Sequence, residues 1–407
     1  MKRGLNLVSL MTVVFVSSCG IIKEGSQNST ANWTFGKDLS LLNQYADCEV
    51  LGYDDSFIAI SPKLQGRVLV GTLEGTSGTS LGWYNRDSLL STSDTLKFSA
   101  LGGLDSLSII PEGGQYALFF PKDALFIAEN WVTPAFLSQE AWDVKSKNAS
   151  SIKLEKRAQF KNSKGFAFDA LFEREISLIN KTNASVILGI DIPDSISMLA
   201  FQSFNKITNK GNVAWDKNAL LALSSQSYFT ASKNCHAFIP YKDGDSLELG
   251  NILRDDYFES ANEFQLAIFD NYVRLRTDAK KMIEVGINPK RSKGIVASYD
   301  AYNGILTVIT YIQPASSKLY ADNSWRNKDD PLLGDAMSVF NNGISNAGSF
   351  ESTPYYKMST NSPALALASE QSQFHVHRVF KFKGSEYELG LIAFKLIGVP
   401  IKDLRVE

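Results

Sequence analysis

The chain has 407 residues, of which 44% are hydrophobic and 11% aromatic, so it can bury a large core. Lysine and arginine total 41 against 43 aspartates and glutamates, which gives a net charge of -2. No basic excess therefore favours nucleic-acid binding, and no polybasic stretch is suited to anionic lipid.

The first residues have the pattern of a secretory signal. Lys2 and Arg3 precede a short apolar stretch, residues 5–16, and small residues lead to Cys19. The stretch is shorter than the roughly 20 apolar residues of a membrane span. VSSC at 16–19 looks like a lipobox, so we expect cleavage of residues 1–18 and lipid on the Cys19 thiol. The alternatives are an ordinary signal peptide with a chance cysteine and an uncut signal anchor.

Residues 19–45 are predicted to be a tether, because Ser, Asn, Gly and Thr recur there with little apolar periodicity. Gly20 is not the aspartate that retains some lipoproteins at the inner membrane, so we expect an outer-membrane location in the cell envelope. Residues 46–407 are predicted to form one domain, since no low-complexity linker or fixed-period repeat divides them.

The three cysteines give an odd count. Lipidation of Cys19 leaves Cys48 and Cys235. These two either form a disulfide in an oxidising compartment or remain two small buried side chains.

The body is predicted to be all-β. Short runs of β-branched and aromatic residues recur between turn-forming residues. The clearest runs are 57–61, 67–72, 115–120, 185–190, 295–299 and 305–311. Asn303-Gly304 predicts a hairpin between the last two. Many strands and few helices favour two stacked antiparallel sheets over a barrel.

One helix is predicted near the C-terminus, covering a sheet face or edge. Ser385 and Glu388 form a capping box, S-x-x-E. Apolar residues at 389, 392, 393 and 396 then fall on one helical face, and Gly398 and Pro400 end the helix.

Two glycine pairs near acidic residues form the first candidate site. Gly102-Gly103 is followed by Asp105, while Glu112 and Gln115 flank Gly113-Gly114. Paired glycines allow unusual backbone conformations, so these polar side chains could meet a ligand in a loop. The alternative is a turn and a hairpin with solvated carboxylates. The spacing does not match a phosphate-binding loop.

Two later segments also carry candidate residues. His375 and His377 share one face of a strand, where histidines can transfer protons near neutral pH, and Arg378 follows them. The alternative for the histidines is a polar strand face with satisfied hydrogen bonds. Trp325, and Asn341 further on, are the aromatic and amide side chains expected of a sugar platform or of a core. No metal site and no cofactor are predicted.

The chain resembles a family of bacterial secreted proteins and lipoproteins of unknown function that is similar to galactose mutarotases. The resemblance spans about Gly52 to Leu404. It is carried by the order and spacing of ISPKLQGRVLVGTLEGTSGTSLGW (60–83), GGLDSLSIIPEGGQYALFF (102–120), NKITNKGNVAW (205–215), IPYK (239–242), DDYF (255–258), SYDAYNGILTVITY (298–311), NSW (323–325), GDAMSVFNNG (334–343) and SPALALASEQSQFHVHRVFKF (362–382). It implies a β-supersandwich of two large antiparallel sheets with a sugar-sized groove on one face.

The chain departs from the pattern of that family at acidic positions. The family motif Gly-Gly-Glu-Asp-Arg stands here as GGLDS at 102–106, and Phe-Tyr-Glu-x-Glu stands as YYKMS at 355–359. Tyr-Asn-Asp-Gly is replaced by FNNG at 340–343. Mutarotation needs a base for the anomeric hydroxyl proton and an acid for the ring oxygen. Ser359 occupies the place of the carboxylate base.

Three functions follow as hypotheses. The first is a lipid-anchored, carbohydrate-binding protein with little or no catalysis, in which Asp105, Gln115, Trp325, Asn341 and Arg378 contact the sugar. The second is an active epimerase, lyase or hydrolase that uses Glu112, His375 and His377. The third is a structural or partner-binding surface lipoprotein with a vestigial groove. The sequence leaves the oligomeric state open.

Overall fold

The computed structural model describes residues 33–90, 101–216, 218–258, 260–315, 319–345, 348–349 and 354–405. The predicted signal peptide, Cys19 and residues 19–32 of the predicted tether lie outside these ranges. In the described part of the chain, no helix has the length and apolarity needed to cross a membrane.

The body is built mainly from β-strands. The first ten are β1 (Glu49–Tyr53), β2 (Ser56–Ser61), β3 (Arg67–Thr72), β4 (Ser106–Ile110), β5 (Asp143–Lys147), β6 (Ser151–Lys161), β7 (Ala167–Leu178), β8 (Ser197–Asn209), β9 (Ala222–Thr230) and β10 (Cys235–Pro240). The others are β11 (Leu266–Ile268), β12 (Tyr272–Arg276), β13 (Ile283–Ile287), β14 (Ile295–Asp300), β15 (Ile305–Tyr311), β16 (Met337–Asn341), β17 (Ile344–Ser345), β18 (Gly348–Ser349), β19 (Tyr355–Asn361) and β20 (Ser372–Lys383).

Short helices join and cover the strands. They are α1 (Phe35–Tyr45), α2 (Arg86–Leu90), α3 (Ala135–Ser138), α4 (Lys181–Leu188), α5 (Ser246–Leu249), α6 (Glu386–Ile397) and α7 (Ile401–Leu404). Single 3-10 turns lie at Pro62–Leu64 and Ala128–Asn130.

Two antiparallel sheets dominate, as predicted. The large sheet has ten strands in the order β11-β12-β10-β14-β15-β20-β8-β7-β6-β5, and the small sheet has five in the order β13-β16-β19-β9-β4. One apolar cluster joins Phe172 and Phe201 of the large sheet to Leu223, Val285 and Met358 of the small sheet. The main core therefore lies between the two sheets, as in a sandwich. A three-stranded sheet, β1-β2-β3, and the β17-β18 pair complete the fold.

The C-terminal helix is confirmed. The capping box of Ser385 and Glu388 is formed, and Gly398 ends α6 in the left-handed conformation at φ 71°. Leu389 and Ile392 pack with Phe380 and other large-sheet residues in a second apolar cluster. The helix thus covers the face of the large sheet that points away from the small sheet.

The individual strand predictions have mixed outcomes. Strands β2, β3, β14 and β15 match four predicted runs, and the hairpin at Asn303-Gly304 joins β14 to β15. Residues 115–120 form turns and a loop instead of a strand. Residues 185–190 mostly belong to α4, because Asn180 caps the helix start and Gly189 ends it at φ 67°.

The predicted tether extends too far into the body. Residues 35–45 form helix α1, whose buried Phe35 and Leu42 join an apolar cluster with Ala59 and Leu69. Asp38 on this helix accepts hydrogen bonds from Tyr84 Oη and Arg86 Nη2, each at 2.8 Å. The folded body therefore includes α1, and only residues 19–32 stay a tether prediction.

The two cysteines left open by the sequence are free thiols. Cys48 is partly exposed and Cys235 is buried. Burial is the main cause that raises the pKa of each thiol to about 12.

Candidate functional site

A pocket of about 500 Å³ lies on the outer face of the small sheet. Side chains alternate along a strand, so residues beside the core positions point the other way. Phe229 and Met358 point into the core, whereas their neighbours Tyr228 and Lys357 line the pocket. We call this cavity the sheet pocket.

A row of four side chains crosses the floor of the sheet pocket. Glu284 on β13 pairs with Phe340 on β16, Phe340 with Lys357 on β19, and Lys357 with Tyr228 on β9. Residues paired in this way lie side by side on one sheet face. The small sheet thus sets an acid, a base and two aromatic rings in a single line.

Two loops carry Glu112 and Trp325 to the pocket. The Glu112 backbone N–H donates to Asn323 Oδ1 at 2.7 Å. A Cβ on Gly113 would lie 2.9 Å from the Trp325 Cα, so only glycine allows this approach of the two loops. The Gln115 side chain also ties the loops together: it donates to the Lys328 carbonyl at 2.6 Å and accepts from the Lys328 N–H at 3.0 Å.

Aromatic rings form one wall of the sheet pocket. The rings of Trp131 and Trp325 lie 5.1 Å apart at 30°, and those of Phe119 and Trp131 lie 4.5 Å apart. All three residues line the pocket together with Phe126. We call this group the aromatic wall. It offers a broad apolar surface next to the polar floor.

Glu112 stands between the aromatic wall and the floor. Gln226 Nε2 donates to Glu112 Oε1 at 3.3 Å, and the Trp325 side chain also hydrogen-bonds to this carboxyl. Burial raises the pKa of Glu112, while Lys357 opposes that rise. A carboxyl with a raised pKa keeps its proton at a higher pH and can donate it.

Lys357 and Glu284 also line the pocket, and they form no ion pair within the described part of the chain. Tyr228, Glu284 and Glu112 raise the pKa of Lys357 in spite of burial, which acts to lower it. Glu284 Oε1 accepts from Ser338 Oγ at 2.8 Å. Within the described residues, neither Lys357 nor either glutamate has an oppositely charged side chain within 4.0 Å. These charges are therefore not neutralised at close range by another described side chain.

Tyr257 lines the same pocket, and a cluster of charged side chains next to the pocket binds its hydroxyl. Its hydroxyl donates to Asp335 Oδ2, and Arg254 Nη1 contacts Asp322 at 2.6 Å and Asp335 at 3.7 Å. Burial raises the pKa of Asp335 to about 7. This cluster fixes the position of the tyrosine ring at the pocket.

The sequence model of DUF6786, a family of unknown function, matches residues 33–407. The chain belongs to this family. A search among curated proteins finds no match to the sequence.

Three solved structures show what the chain is similar to. A provisionally assigned aldose 1-epimerase from Escherichia coli K12 has a TM-score of 0.48 and 12% identity, over 82% of this chain and 98% of that one. A galactose mutarotase-like protein from Lactobacillus casei has a TM-score of 0.46 and 8% identity, over 83% and 99%. A galactose mutarotase related enzyme from Lactobacillus acidophilus has 0.45 and 9%, over 83% and 97%. Their names include galactose mutarotase-like proteins, the group to which the sequence is expected to be similar.

Two of the predicted site residues of the DUF6786 chain, Glu112 and Trp325, meet in the sheet pocket. The alternative of solvated carboxylates does not hold for Asp105, which is fully buried, whereas Glu112 is partly exposed and faces the pocket.

His375 and His377 lie between the two sheets, so their predicted contact with a ligand in the groove is wrong. They share one strand face as expected, and both are almost fully buried. Thr360 Oγ1 lies 2.8 Å from His375 Nε2 and from His377 Nδ1, and Ser227 Oγ lies 2.9 Å from His377 Nε2. Burial lowers the pKa of His375 to about 3 and that of His377 to about 4. Their hydrogen bonds join the sheets.

The remaining predicted ligand contacts also serve the fold. Asp105 Oδ2 accepts from Arg174 Nη2 at 2.8 Å inside the protein, and both side chains have 0% exposure. Asn341 binds the backbone of Ala279 and Lys281 at 2.9 Å each. Arg378 Nε donates to Gln202 on the large sheet at 2.7 Å. Gln115 bridges two loops, as described above.

Most residues of the pocket floor are not among the predicted site residues, including Glu284, Tyr228, Gln226 and Lys357. A usable signal exists in strand periodicity. Glu284 is a lone charge in the apolar run MIEVGI at 282–287, and such a residue must point away from the core. Among the described residues, no group of three or more His, Cys, Asp or Glu side chains is placed to hold a metal ion.

Proposed function

We propose that the sheet pocket binds a carbohydrate. The observation that carries this proposal is the pairing of the aromatic wall with a floor of charged and amide groups that have no ion-pair partner among the described residues. A sugar ring offers apolar C–H faces that pack on aromatic rings, and hydroxyls that need many hydrogen-bond partners. The volume of about 500 Å³ lies within the range of small-molecule sites, roughly 300–1,000 Å³.

Calorimetric titration with a panel of monosaccharides and oligosaccharides tests this proposal. We expect heat of binding from at least one class of sugar, and its loss in Trp325→Ala. Glu370→Gln is the matched surface control, because this residue is exposed and lies outside the pocket. Silence across the panel, or binding that Trp325→Ala leaves intact, would contradict a carbohydrate site here.

We also propose that the pocket is displayed in the cell envelope through lipid on Cys19. Support comes from the basic start, short apolar stretch and VSSC motif of residues 2–19. Metabolic labelling with a fatty-acid analogue should mark the wild-type protein and leave Cys19→Ser unmarked. Labelling of both proteins, or of neither, would overturn the anchor.

A second candidate function is proton-transfer chemistry on the bound sugar. The raised pKa of Glu112 favours it, because a protonated Glu112 can serve as a general acid. Glu284, which also acts on Lys357, would then take the role of base. Polarimetry on freshly dissolved α-anomers should show faster mutarotation with the wild type than with Glu112→Gln. Equal rates for wild type, variant and buffer alone would remove this function and leave binding.

A further inference from the structure

Arg67 lies at the sheet pocket with one edge of its guanidinium unused. Its Nη1 donates to the Gly102 carbonyl. Its Nε is buried and has no hydrogen-bond partner among the described residues. No carboxylate in that part of the chain lies within ion-pair distance of this side chain.

The carboxylate that acts on Arg67, Asp105, is already in an ion pair with another arginine. Asp105 Oδ2 accepts from Arg174 at 2.8 Å, while its buried Oδ1 has no partner among the described residues. Burial lowers the pKa of Arg67 to about 10, so the side chain stays protonated at neutral pH. Arg67 and Arg174 thus share the negative charge of one carboxylate. The positive charge that this leaves unbalanced beside the pocket costs free energy unless a ligand brings an anion.

Lys357 does not share this imbalance. Glu112, Glu284 and Tyr228 surround it and raise its pKa. An incoming anion would be repelled by the Glu284 carboxylate and would be attracted at the Arg67 end of the pocket. Ser138 also lines the pocket, and its buried hydroxyl has no partner among the described residues.

The shape of the free edge specifies the anion. Nε and Nη2 point the same way on a guanidinium, and this pair of donors fits the two oxygens of a planar carboxylate. We propose that Arg67 forms a subsite for the carboxylate of an acidic saccharide, a hexuronic acid or an oligosaccharide that contains one. This inference rests on the proposed function, because it assumes that the sheet pocket takes a sugar.

Calorimetry with matched acidic and neutral sugars tests the subsite. Glucuronic and galacturonic acid, alone and in short oligosaccharides, are compared with glucose and galactose of the same length. We expect the acidic member of each pair to bind about ten- to a hundredfold more tightly, which is the effect of one charge-assisted bidentate contact. Arg67→Met should remove the difference, and Arg67→Lys, which keeps the charge but loses the fork, should remove most of it.

Controls keep the two proposals separate. Arg378→Lys changes a half-buried arginine on the large sheet and should preserve the preference. Circular dichroism confirms folding, and Arg67→Lys keeps the test valid if Arg67→Met fails to fold. Equal affinity for acidic and neutral sugars would overturn the acidic ligand while the carbohydrate site survives. Tighter binding of sugar sulfates or phosphates would overturn the carboxylate assignment. No binding of any sugar would overturn both proposals.

Discussion

The two faces of the small sheet treat their polar side chains in opposite ways. On the inner face, His375, His377 and Ser227 form a hydrogen-bonded chain through Thr360, and Asp105 pairs with Arg174. On the outer face, the charged groups of the sheet pocket form no ion pairs among the described residues. The difference shows that chemical type alone does not mark a site. What separates the two faces is that the charge of Asp105 has an ion-pair partner in the protein, whereas the charges of the sheet pocket have none among the described residues.

The largest expected effect comes from breaking the buried pair on the inner side. Asp105→Ala leaves Arg174 charged and fully buried. We expect a loss of about 3–5 kcal/mol in the free energy of unfolding. Urea denaturation measures it. Asp169→Ala breaks an ion pair with Arg157 on the surface and should leave the unfolding midpoint near that of the wild type. Equal losses in both variants would contradict the special role of burial.

The histidine pair should make stability depend on pH. Burial lowers the pKa of His375 to about 3 and of His377 to about 4, below the unfolded value of about 6.5. Their neutral forms are therefore fully compatible with folding above pH 6.5. Stability is lost as the pH falls from 6.5 towards 4, by up to about 1.4 kcal/mol per pH unit for each histidine. The raised pKa of Asp335, about 7, has the opposite sign, because its protonated form favours the folded state.

A double variant separates these contributions. His375→Gln/His377→Gln should lose stability at pH 8 and should show a smaller further loss between pH 6.5 and 4 than the wild type. Sugar affinity at pH 8 should be unchanged in the folded variant. The same pH slope in both proteins, or a selective loss of sugar binding, would place the histidines in a different role.

On the outer face, we expect a substitution to weaken sugar binding and to leave the unfolding stability unchanged or higher. Glu112→Gln removes a carboxyl whose charge is disfavoured by burial. We expect sugar affinity to fall by up to about tenfold, because a hydrogen bond between neutral groups contributes roughly 0.5–1.5 kcal/mol. Unfolding stability should stay the same or rise, most visibly at alkaline pH, where the wild type must bury the charge. A variant that loses stability but keeps its sugar affinity would show that Glu112 stabilises the fold and does not bind the sugar.

The smallest effect concerns the thiols. Because burial raises the pKa of Cys48 and Cys235 to about 12, both should react slowly with iodoacetamide at pH 8. Partly exposed Cys48 should be alkylated before buried Cys235. Intact-mass spectrometry follows the additions over time. A mass without reactive thiols under non-reducing, denaturing conditions would indicate a disulfide instead.

The sequence predicts the architecture better than the site. Helix α6 follows from a capping box, a helical apolar stripe and a terminal glycine, all of which are local. The β-branched residues Val186 and Ile187 favour a strand at 185–190, yet the flanking caps Asn180 and Gly189 define helix α4 there. Local signals therefore suffice only where they agree.

The site depends on contacts that local patterns do not carry. Glu284 and Lys357 are 73 residues apart in number, and they share the pocket floor only because β16 places Phe340 between them. The two histidines form the most suggestive motif in the sequence. Between the sheets, however, Thr360 hydrogen-bonds to both rings and Ser227 to that of His377. Sheet pairing and side-chain partners decide both cases.

The central claim is that the ligand binds on the outer face of the small sheet, against Trp325. The indole N–H signals of the six tryptophans, assigned by single Trp→Phe variants and recorded by NMR during titration with the sugar found by calorimetry, test it most directly. The account predicts that the Trp325 and Trp131 signals shift, while that of Trp142, whose indole donates to the Phe136 carbonyl at 2.7 Å in the interior, stays in place. A bound sugar that leaves the Trp325 signal unmoved would contradict the account.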